Sequence, residues 1–319
     1  MYREMRERVF FVVVLSLPVF ALAKGPATNA ASFLTIGFGS RAQSLGNAFV
    51  ALADDASSTY FNPAGLAQTT YKPFATREIQ ASRSSWFQGI NIDQLAIANL
   101  GSSALSWGFL TTSLRVGDLE QRTTETEKPD GFFTAEDRSL GLSLAWRPSA
   151  NPLALGVTTK FIQQRIASAQ GESMALDLGA QLPFRYGEQN FSLGFALRNL
   201  GPKLRLGSSG APLPLSYHLG FAHRGLMNQV LEVTRQQNGT TNVSLGTEYW
   251  FLGVFGIRGG YNYARGQSPE SDKILGLSFQ PGITGGFGFK VMNAFGIDYA
   301  FVPFGDLGFA HRFTMNYRF

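Results

Sequence analysis

Through most of the chain, from about Lys72 onward, bulky apolar residues alternate with small or polar ones. The last run shows the pattern most clearly, and one of its faces is made of Phe313, Met315, Tyr317 and Phe319. The other face of that run is made of Arg312, Thr314, Asn316 and Arg318. A period of two is that of a β-strand whose two faces meet different surroundings. The run therefore predicts a strand with one apolar face and one charged face.

About fourteen runs of this kind, each roughly ten residues long, are separated by turn residues, and a tilted strand of that length crosses the hydrocarbon of a bilayer. Their approximate centres are Thr76, Ala96, Trp107, Leu142, Val157, Leu178, Phe195, His218, Leu231, Leu245, Ile257, Leu277, Ile297 and Met315. Short connections such as Tyr186–Glu188 alternate with long ones such as Arg115–Phe132. An even number of strands places both chain ends beside the short connections, which is the arrangement of an outer-membrane barrel with periplasmic termini.

Composition separates a membrane barrel from a water-soluble β-sandwich, which shows the same alternation. Charged residues make up 15% of the chain, well below the roughly one quarter that is usual in a soluble domain. The 36 glycines and 28 phenylalanines suit a wall with one face in lipid and aromatic residues at its rims. The sequence thus predicts an all-β fold, a transmembrane antiparallel β-barrel over residues 72–319 that is surrounded by outer-membrane lipid.

Residues 1–23 have the pattern of a secretory signal peptide. Arg3, Arg6 and Arg8 precede the apolar stretch Val9–Leu22, and Ala21–Ala23 suits cleavage directly after it. An N-terminal membrane anchor is the alternative. Export of the remaining chain fits the outer membrane of a Gram-negative-type bacterium. The net charge of +5 is spread along the chain, which predicts no nucleic-acid partner, and the lack of cysteine excludes disulfides and thiolate metal sites.

Residues 24–71 break the alternation and predict a small N-terminal helical element. Ser40 suits the N-cap of one short helix. Asn62 suits the N-cap of a second, with Pro63 at the first helical position, where its missing N–H is tolerated. A compact element of this size could fold into the barrel lumen as a hatch, or it could cap the barrel on the periplasmic side. The residues leave both arrangements open.

The stretch Gly46–Leu66 resembles the N-terminal signature of the FadL/PorV superfamily of outer-membrane barrels, through its Asp-Asp-Ala-Ser and Asn-Pro-Ala elements. Asp298–Phe301 and Leu307–Phe313 are similar to the closing strands of the PorV/PorQ branch. The resemblance implies a barrel of about fourteen strands with an N-terminal hatch. The hatch residues that it implies are Asn62, Pro63 and Ala64.

Two functions follow from this resemblance. By analogy with FadL, the barrel would carry small hydrophobic molecules passively across the outer membrane. By analogy with PorV, it would be a component of a protein secretion or cell-surface attachment system that binds exported cargo or partner proteins. A fold alone does not fix a function, so both stay open here.

Single charges interrupt the small face of several runs. They are Lys160, Asp177, Arg198, Glu248, Arg258 and Asp298. We expect opposite charges to pair inside the wall, with Glu248 and Arg258 meeting across a hairpin. The alternative is that some of them line a path for solute. Asp54 and Asp55 are expected to pair with inward arginines and to hold the hatch shut.

Two further features concern the wall itself. Four glycines lie within Gly282–Gly288, and glycine inside a strand usually marks a bulge or a bend. We therefore expect a kinked wall at Gly282, Gly285 and Gly286, which in a FadL-like transporter would open a gap for solute. The aromatic residues Tyr317 and Phe319 end the last strand, and they are the expected assembly signal for the barrel-assembly machinery.

Catalysis and cofactor binding find little support in the sequence. Gly37-Phe-Gly39 nearly matches a dinucleotide fingerprint, but that motif requires a βαβ unit and a later acidic residue. His218 and His223 are five residues apart, so they face opposite ways on a strand. Neither a zinc site nor a Ser-His-Asp triad is predicted. We therefore expect no cofactor, no metal and no enzyme activity.

Overall fold

Secondary structure is described in a computed structural model for residues 29–68, 76–86, 89–101, 105–125, 128–148, 151–237, 239–264, 272–274, 277–279, 282–292, 294–303 and 309–319. The helices are two 3-10 helices, Ser32–Thr35 and Pro63–Ala67, and two short α-helices, α1 (Ser40–Gln43) and α2 (Ser58–Phe61). The predicted signal peptide and the predicted boundary between residues 71 and 72 lie outside the described residues.

The strands, in chain order, are β1 (Thr76–Ser85), β2 (Asn91–Leu100), β3 (Ser106–Gln121), β4 (Gly131–Trp146), β5 (Ala154–Ile166), β6 (Ala169–Tyr186), β7 (Gln189–Leu200), β8 (Leu204–Leu206), β9 (Ser209–Ala211), β10 (Ser216–Arg224), β11 (Met227–Gln236), β12 (Thr241–Phe251), β13 (Phe255–Ala264), β14 (Asp272–Ile274), β15 (Leu277–Phe279), β16 (Ile283–Val291), β17 (Phe295–Pro303) and β18 (Phe309–Arg318).

Most of these strands close into one antiparallel barrel, in the order β1-β18-β17-β16-β13-β12-β11-β10-β7-β6-β5-β4-β3-β2. The seam is closed by β1 and β18, which pair from Glu78 opposite Arg318 to Ser85 opposite His311. The hairpins β8–β9 and β14–β15 form separate two-stranded sheets. The predicted all-β barrel of about fourteen strands is confirmed, and its closure removes the unpaired strand edges that hydrocarbon does not tolerate.

Along the wall strands the bulky face points outward and the small face points inward. On β4, Leu140, Leu142 and Leu144 are exposed, Leu142 by 64%, while the alternate residues Ser139 and Ser143 are buried. Large apolar side chains exposed around a whole barrel wall are stable in lipid and not in water. The outward face is therefore the lipid-facing surface, and the inward face surrounds the lumen. Among the described residues, no helix is long and apolar enough to span a membrane.

One wall strand lies later in the chain than predicted. Its expected centre, Leu277, belongs to the hairpin strand β15, and the wall strand at this place is β16. Tyr261 of β13 pairs with Ile283, and the Asn262 N–H donates to the Gly282 carbonyl at 2.8 Å, so the described pairing of this strand with β13 begins at Gly282. The sequence pattern misses this because the short run Leu277–Phe279 alternates just as a wall strand does.

The glycines from Gly282 onward mark the beginning of β16. Gly282 has a φ of +93°, a backbone conformation that glycine adopts readily, and it precedes the strand by one residue. From Gly285 to Phe289 the strand pairs in continuous register with both β13 and β17. The pairing thus contains no bulge here, and a bend at Gly285 and Gly286 stays a prediction. Register shifts are found elsewhere, between Val116 and Leu119 on β3 and between Leu176 and Leu178 on β6.

The described part of the hatch, residues 29–68, packs against the inward face of the wall. Helix α1 contacts β16, β17 and β18, whereas the 3-10 helix Pro63–Ala67 contacts β2 to β6 on another side of the barrel. The largest fully buried apolar side chains of the hatch are Phe38, Leu45, Phe49, Leu52, Phe61 and Leu66. A segment that contacts strands around the barrel from within lies in the lumen. Residues 29–68 thus lie inside the barrel, and we keep the name hatch for them; that they act as a hatch stays a prediction.

Candidate functional site

The hatch and the wall approach each other closely at inward-facing glycines. A Cβ atom added at Gly156 of β5 would clash with the backbone of Pro63 and Ala64. One added at Gly194 of β7 would clash with the backbone of Val50. Only a residue without a side chain permits this approach. Glycines of the small face thus make room for the hatch. This explains the high glycine content, which the sequence alone ascribes to a wall with one face in lipid.

Asn62 fixes the turn of the hatch that rests on this surface. Its Oδ1 accepts a hydrogen bond of 3.2 Å from the Ala64 N–H, which caps the 3-10 helix, and Pro63 occupies the first helical position. Its Nδ2 donates to the carbonyl of Val50 at 2.8 Å and to that of Ala180 on the wall at 3.0 Å. The predicted cap is confirmed, and the same side chain also joins the hatch to the barrel.

The other predicted cap, Ser40, is wrong by one position. The N-cap of α1 is Gly39, which has a φ of +70°. The hydroxyl of Ser40 donates instead to the carbonyl of Arg312 on the wall at 3.0 Å and lies 2.8 Å from the hydroxyl of Thr314. The Ser40 side chain thus bonds to the wall instead of capping the helix N-terminus. The local sequence gives no sign of these distant partners.

Arg41 on α1 is the basic group that joins the hatch to the wall. Its Nη1 lies 2.7 Å from Asp54 and 2.8 Å from Asp55, and its Nε lies 2.9 Å from Glu248 on β12. Burial alone would lower the pKa of Arg41, but the charges of Glu248, Asp54 and Asp55 outweigh that effect and hold the pKa well above its usual value. The guanidinium therefore stays charged and bound to all three carboxylates.

The charges continue from Arg41 into the wall. Glu248 and Arg258 are directly opposite each other on β12 and β13, and the Arg258 Nε lies 2.8 Å from the carboxylate, so the predicted hairpin pair is confirmed. Arg258 in turn binds Asp298 at 2.6 Å. We call Asp54, Arg41, Glu248, Arg258 and Asp298 the ion-pair chain. It lies near the strand ends on the side of the C-terminus, the side that the sequence predicts to face the periplasm.

The two hatch aspartates have different partners. Asp54 binds Arg224 of the wall at 2.9 Å in addition to Arg41. This is the pairing with an inward wall arginine that the sequence predicts. Asp55 instead binds Arg41 of the hatch itself and accepts a hydrogen bond from the Ser57 N–H at 3.0 Å. Asp54 thus joins the hatch to the wall, whereas Asp55 stabilises the hatch internally.

The remaining predicted lumen charges form a second cluster. Lys160 and Asp177 are buried as an ion pair between β5 and β6, and the Lys160 Nζ also donates to Asn199 Oδ1 at 2.9 Å. Arg198 lies over the ring of Tyr60, with its Cζ 4.0 Å from the ring centroid. The two clusters bind different parts of the hatch, since α1 joins the first and Tyr60 joins the second.

Sequence reasoning missed Glu232, which binds the hatch backbone directly. Its Oε2 accepts hydrogen bonds from the N–H groups of Phe49 at 2.7 Å and of Val50 at 2.9 Å. Its Oε1 lies 2.8 Å from His218 Nδ1, and Ser216 Oγ lies 2.9 Å from His218 Nε2. The one available signal was that all three wall residues fall on the inward face of β10 and β11. The carboxylate is already bound to the hatch, so we assign this group to anchoring.

A small polar cavity of about 50 Å³ lies beside this anchor, toward the strand ends that are far from the C-terminus. It is lined by Leu34, Thr35, Asn47, Arg198, Asn199, Ser216, His218, Glu232, Thr234, Gln236, Asn242, Ser244 and Asn262. Its walls suit a few water molecules rather than a hydrocarbon. An apolar cluster of Ala31, Phe33, Leu34, Ile162, Ala175, Leu204 and Leu213 lies at the same end of the lumen, between the hatch and the wall with the hairpin β8–β9.

The predicted assembly residues lie at the barrel seam. The rings of Tyr317 and Phe319 stack at 5.6 Å and are exposed on the lipid-facing side. Backbone hydrogen bonds of 3.0 Å join Phe319 and Arg77 in both directions. The C-terminal residue thus completes the pairing of the last strand with the first, and its part in assembly stays a prediction.

Solved structures of FadL type share the fold of this chain. The CymD monoaromatic hydrocarbon channel has a TM-score of 0.62 at 12% identity, over 89% of this chain and 97% of its own. The toluene transporter TbuX of Ralstonia pickettii has a TM-score of 0.60 at 12% identity, over 88% and 98%. A FadL homologue of Pseudomonas aeruginosa has a TM-score of 0.52 at 11% identity, over 85% and 95%. The first is a channel and the second a transporter, and the present chain has the outer-membrane barrel fold that all three share.

Sequence comparison supplies the family. No curated protein matches the chain. The sequence model of one family, described as an uncharacterised protein family (UPF0164), matches residues 20–265. That range covers more than half of the chain, including the hatch and the barrel strands up to β13. The chain therefore belongs to the UPF0164 family.

Proposed function

We infer that this protein is a passive transporter of small hydrophobic molecules across the outer membrane. The observation that carries the proposal is a closed barrel whose lumen is occupied by a hatch that ion pairs and hydrogen bonds hold to the wall. Such a barrel excludes ions and hydrophilic solutes, for which an open lumen would be needed. The fold is that of a hydrocarbon channel and of a toluene transporter, and this likeness supports the proposal at the level of architecture.

The route that we propose follows the apolar side of the hatch. The apolar cluster around Phe33 and Leu34 offers a solute the contacts that the polar cavity lacks, and Leu114 of β3 packs against it. A short distance along β3, the pairing with β4 shifts register between Val116 and Leu119. A register shift leaves backbone groups unpaired, so this place, rather than the glycines of β16, is our candidate for a gap through which an apolar solute reaches the bilayer.

Uptake by whole cells tests this proposal. We expect a deletion strain to take up radiolabelled toluene or a labelled fatty acid more slowly, and the wild-type gene to restore the rate. Phe33→Asn should fail to restore it, because a polar amide replaces an apolar contact on the proposed route. Glu188→Gln, at an exposed periplasmic turn, is the matched control and should restore uptake fully. Equal uptake with and without the protein, for both solutes, would refute the proposal.

Secretion is the second candidate, and the similarity of Asp298–Phe301 and Leu307–Phe313 to the closing strands of the PorV/PorQ branch is the observation that favours it. A purification in mild detergent followed by mass spectrometry separates the two functions. Co-purification of an exported protein in stoichiometric amount would favour secretion. A bound apolar small molecule without protein partners would favour transport.

A further inference from the structure

Three successive periplasmic turns of the barrel expose large apolar side chains at their tips. Leu226 lies between β10 and β11, Leu252 between β12 and β13, and Met292 between β16 and β17. They are exposed by 80%, 99% and 93%, respectively. These strands are neighbours in the barrel, so the three side chains lie along one arc of the periplasmic rim. We call Leu226, Leu252 and Met292 the apolar arc.

Turn geometry does not account for Leu252 and Met292. Leu252 has a φ of 51° and the following Gly253 a φ of 71°, and Met292 has a φ of 52°. Two consecutive residues with positive φ form the tight hairpin turn in which Asn or Asp normally precedes Gly. A bulky side chain is strained in this conformation. The chain thus has apolar residues at positions 252 and 292, where a polar residue would fit the backbone better and would be well hydrated.

We propose that the apolar arc inserts into the hydrocarbon edge of the periplasmic leaflet. The lipid-facing surface continues directly into it, because Phe251, Phe255, Val291 and Phe295 flank two of the turns and are between 38% and 46% exposed on the outside. Contact with acyl chains removes the apolar tips from water, which is favourable in proportion to their area. The occupant of this surface is therefore membrane lipid.

The opposite part of the rim differs in chemistry and strand length. The described turn residues there include exposed Asn151 between β4 and β5 and Glu188 between β6 and β7. Apolar residues at this part of the rim include Leu105, which is 48% exposed, and Tyr186 at the end of β6, which carries a polar hydroxyl. The strands on that side are long, with 16 residues in β3, 16 in β4 and 18 in β6, whereas β10, β16 and β17 have 9 residues each. Both differences fit a barrel that tilts in the membrane. The apolar arc then lies in the periplasmic leaflet, and the long strands extend beyond the bilayer on the extracellular side.

The chain contains no cysteine, so single spin labels can report where each turn lies. We would label Leu226→Cys, Leu252→Cys and Met292→Cys, with Asn151→Cys and Glu188→Cys as controls, in vesicles of phosphatidylethanolamine and phosphatidylglycerol. Oxygen is concentrated in hydrocarbon, while a nickel chelate stays in water. We expect labels on the arc to collide with oxygen and to lose collisions with nickel, and control labels to show the reverse.

Nickel collisions on the arc equal to those of the controls would overturn the proposal. A second result would also overturn it: labels on the arc that collide with nickel in vesicles but with neither oxygen nor nickel in isolated outer membranes. A protein would then cover the arc. Leu252→Asn gives a second measurement, since asparagine suits the turn. We expect labels at positions 226 and 292 to gain nickel collisions in this variant; unchanged depth would count against insertion. The proposal does not depend on transport, so its failure would leave the proposed function untouched.

Discussion

Removing the carboxylates of Asp54 and Asp55 is the sharpest perturbation of the hatch. The double substitution Asp54→Asn with Asp55→Asn keeps the size of both side chains and deletes two charges of opposite sign to Arg41. Arg41 then retains Glu248 as its carboxylate partner, and Arg224 loses the carboxylate that lies 2.9 Å from it. The barrel strands themselves are unchanged, so the effect should fall on the hatch: on its docking to the wall through Asp54, and on its internal ion pair with Arg41 through Asp55.

The magnitude follows from the burial of the pairs. Removing one partner of a buried ion pair typically costs about 3–5 kcal/mol, because it leaves a desolvated charge behind. Here Arg41 keeps Glu248, and an asparagine oxygen still accepts a hydrogen bond. The lower end, about 3 kcal/mol, is therefore our expectation for the docked hatch. Since each 1.4 kcal/mol is a factor of ten, the population with an undocked hatch should rise on the order of a hundredfold.

Conductance in planar bilayers measures this population, because ions pass only when the hatch leaves the lumen. We expect frequent openings of the double variant at voltages where the wild type is closed. Asp93→Asn is the matched control, since its pair with Arg83 on the outer surface is 3.7 Å long and mostly exposed, and such pairs contribute at most about 1 kcal/mol. A double variant as silent as the wild type would refute the idea that these charges hold the hatch.

Other substitutions test the remaining contacts between hatch and wall. Glu232→Gln should weaken the bonds to Phe49 and Val50 by about 1.5–3 kcal/mol and should raise conductance in the same assay; no increase would contradict its role as an anchor. Gly156→Ala should displace the turn at Pro63 and cost about 1–3 kcal/mol in a urea unfolding measurement, whereas Gly259→Ala, with open space around it, should cost much less. Deletion of Phe319 should lower the amount of protein in the outer membrane on immunoblots of membrane fractions, and an unchanged amount would argue against an assembly signal.

The period of two predicts the wall strands, because each has one face in lipid and one in the lumen, and the low content of charged residues separates a membrane barrel from a soluble sandwich. It also predicts the pair of Glu248 and Arg258, since residues that flank a short turn at equal distances meet across the hairpin. The hatch cap at Asn62 and Pro63 is equally local. For each of these features the cause lies within a few residues of the chain.

Features that depend on distant contacts could not be predicted in this way. Ser40 bonds to Arg312 and Thr314 on the last strand, so its role is set by a residue more than two hundred positions away. Glu232 looks like any inward polar residue until the backbone of Phe49 is placed against it. The strand predicted at Leu277 failed for a similar reason, because pairing with β13 selects the later run that begins at Ile283.

Closure of the barrel requires that the hatch lies inside the lumen in the native membrane, and one crosslink tests this directly. The hydroxyls of Ser40 and Thr314 are 2.8 Å apart, close enough that cysteines at the two positions could form a disulfide with a small adjustment. We expect Ser40→Cys with Thr314→Cys to oxidise almost completely in isolated outer membranes, giving a faster-migrating band that disappears on reduction. Two free thiols, both alkylated by a membrane-impermeant reagent added from the periplasmic side, would contradict a hatch in the lumen.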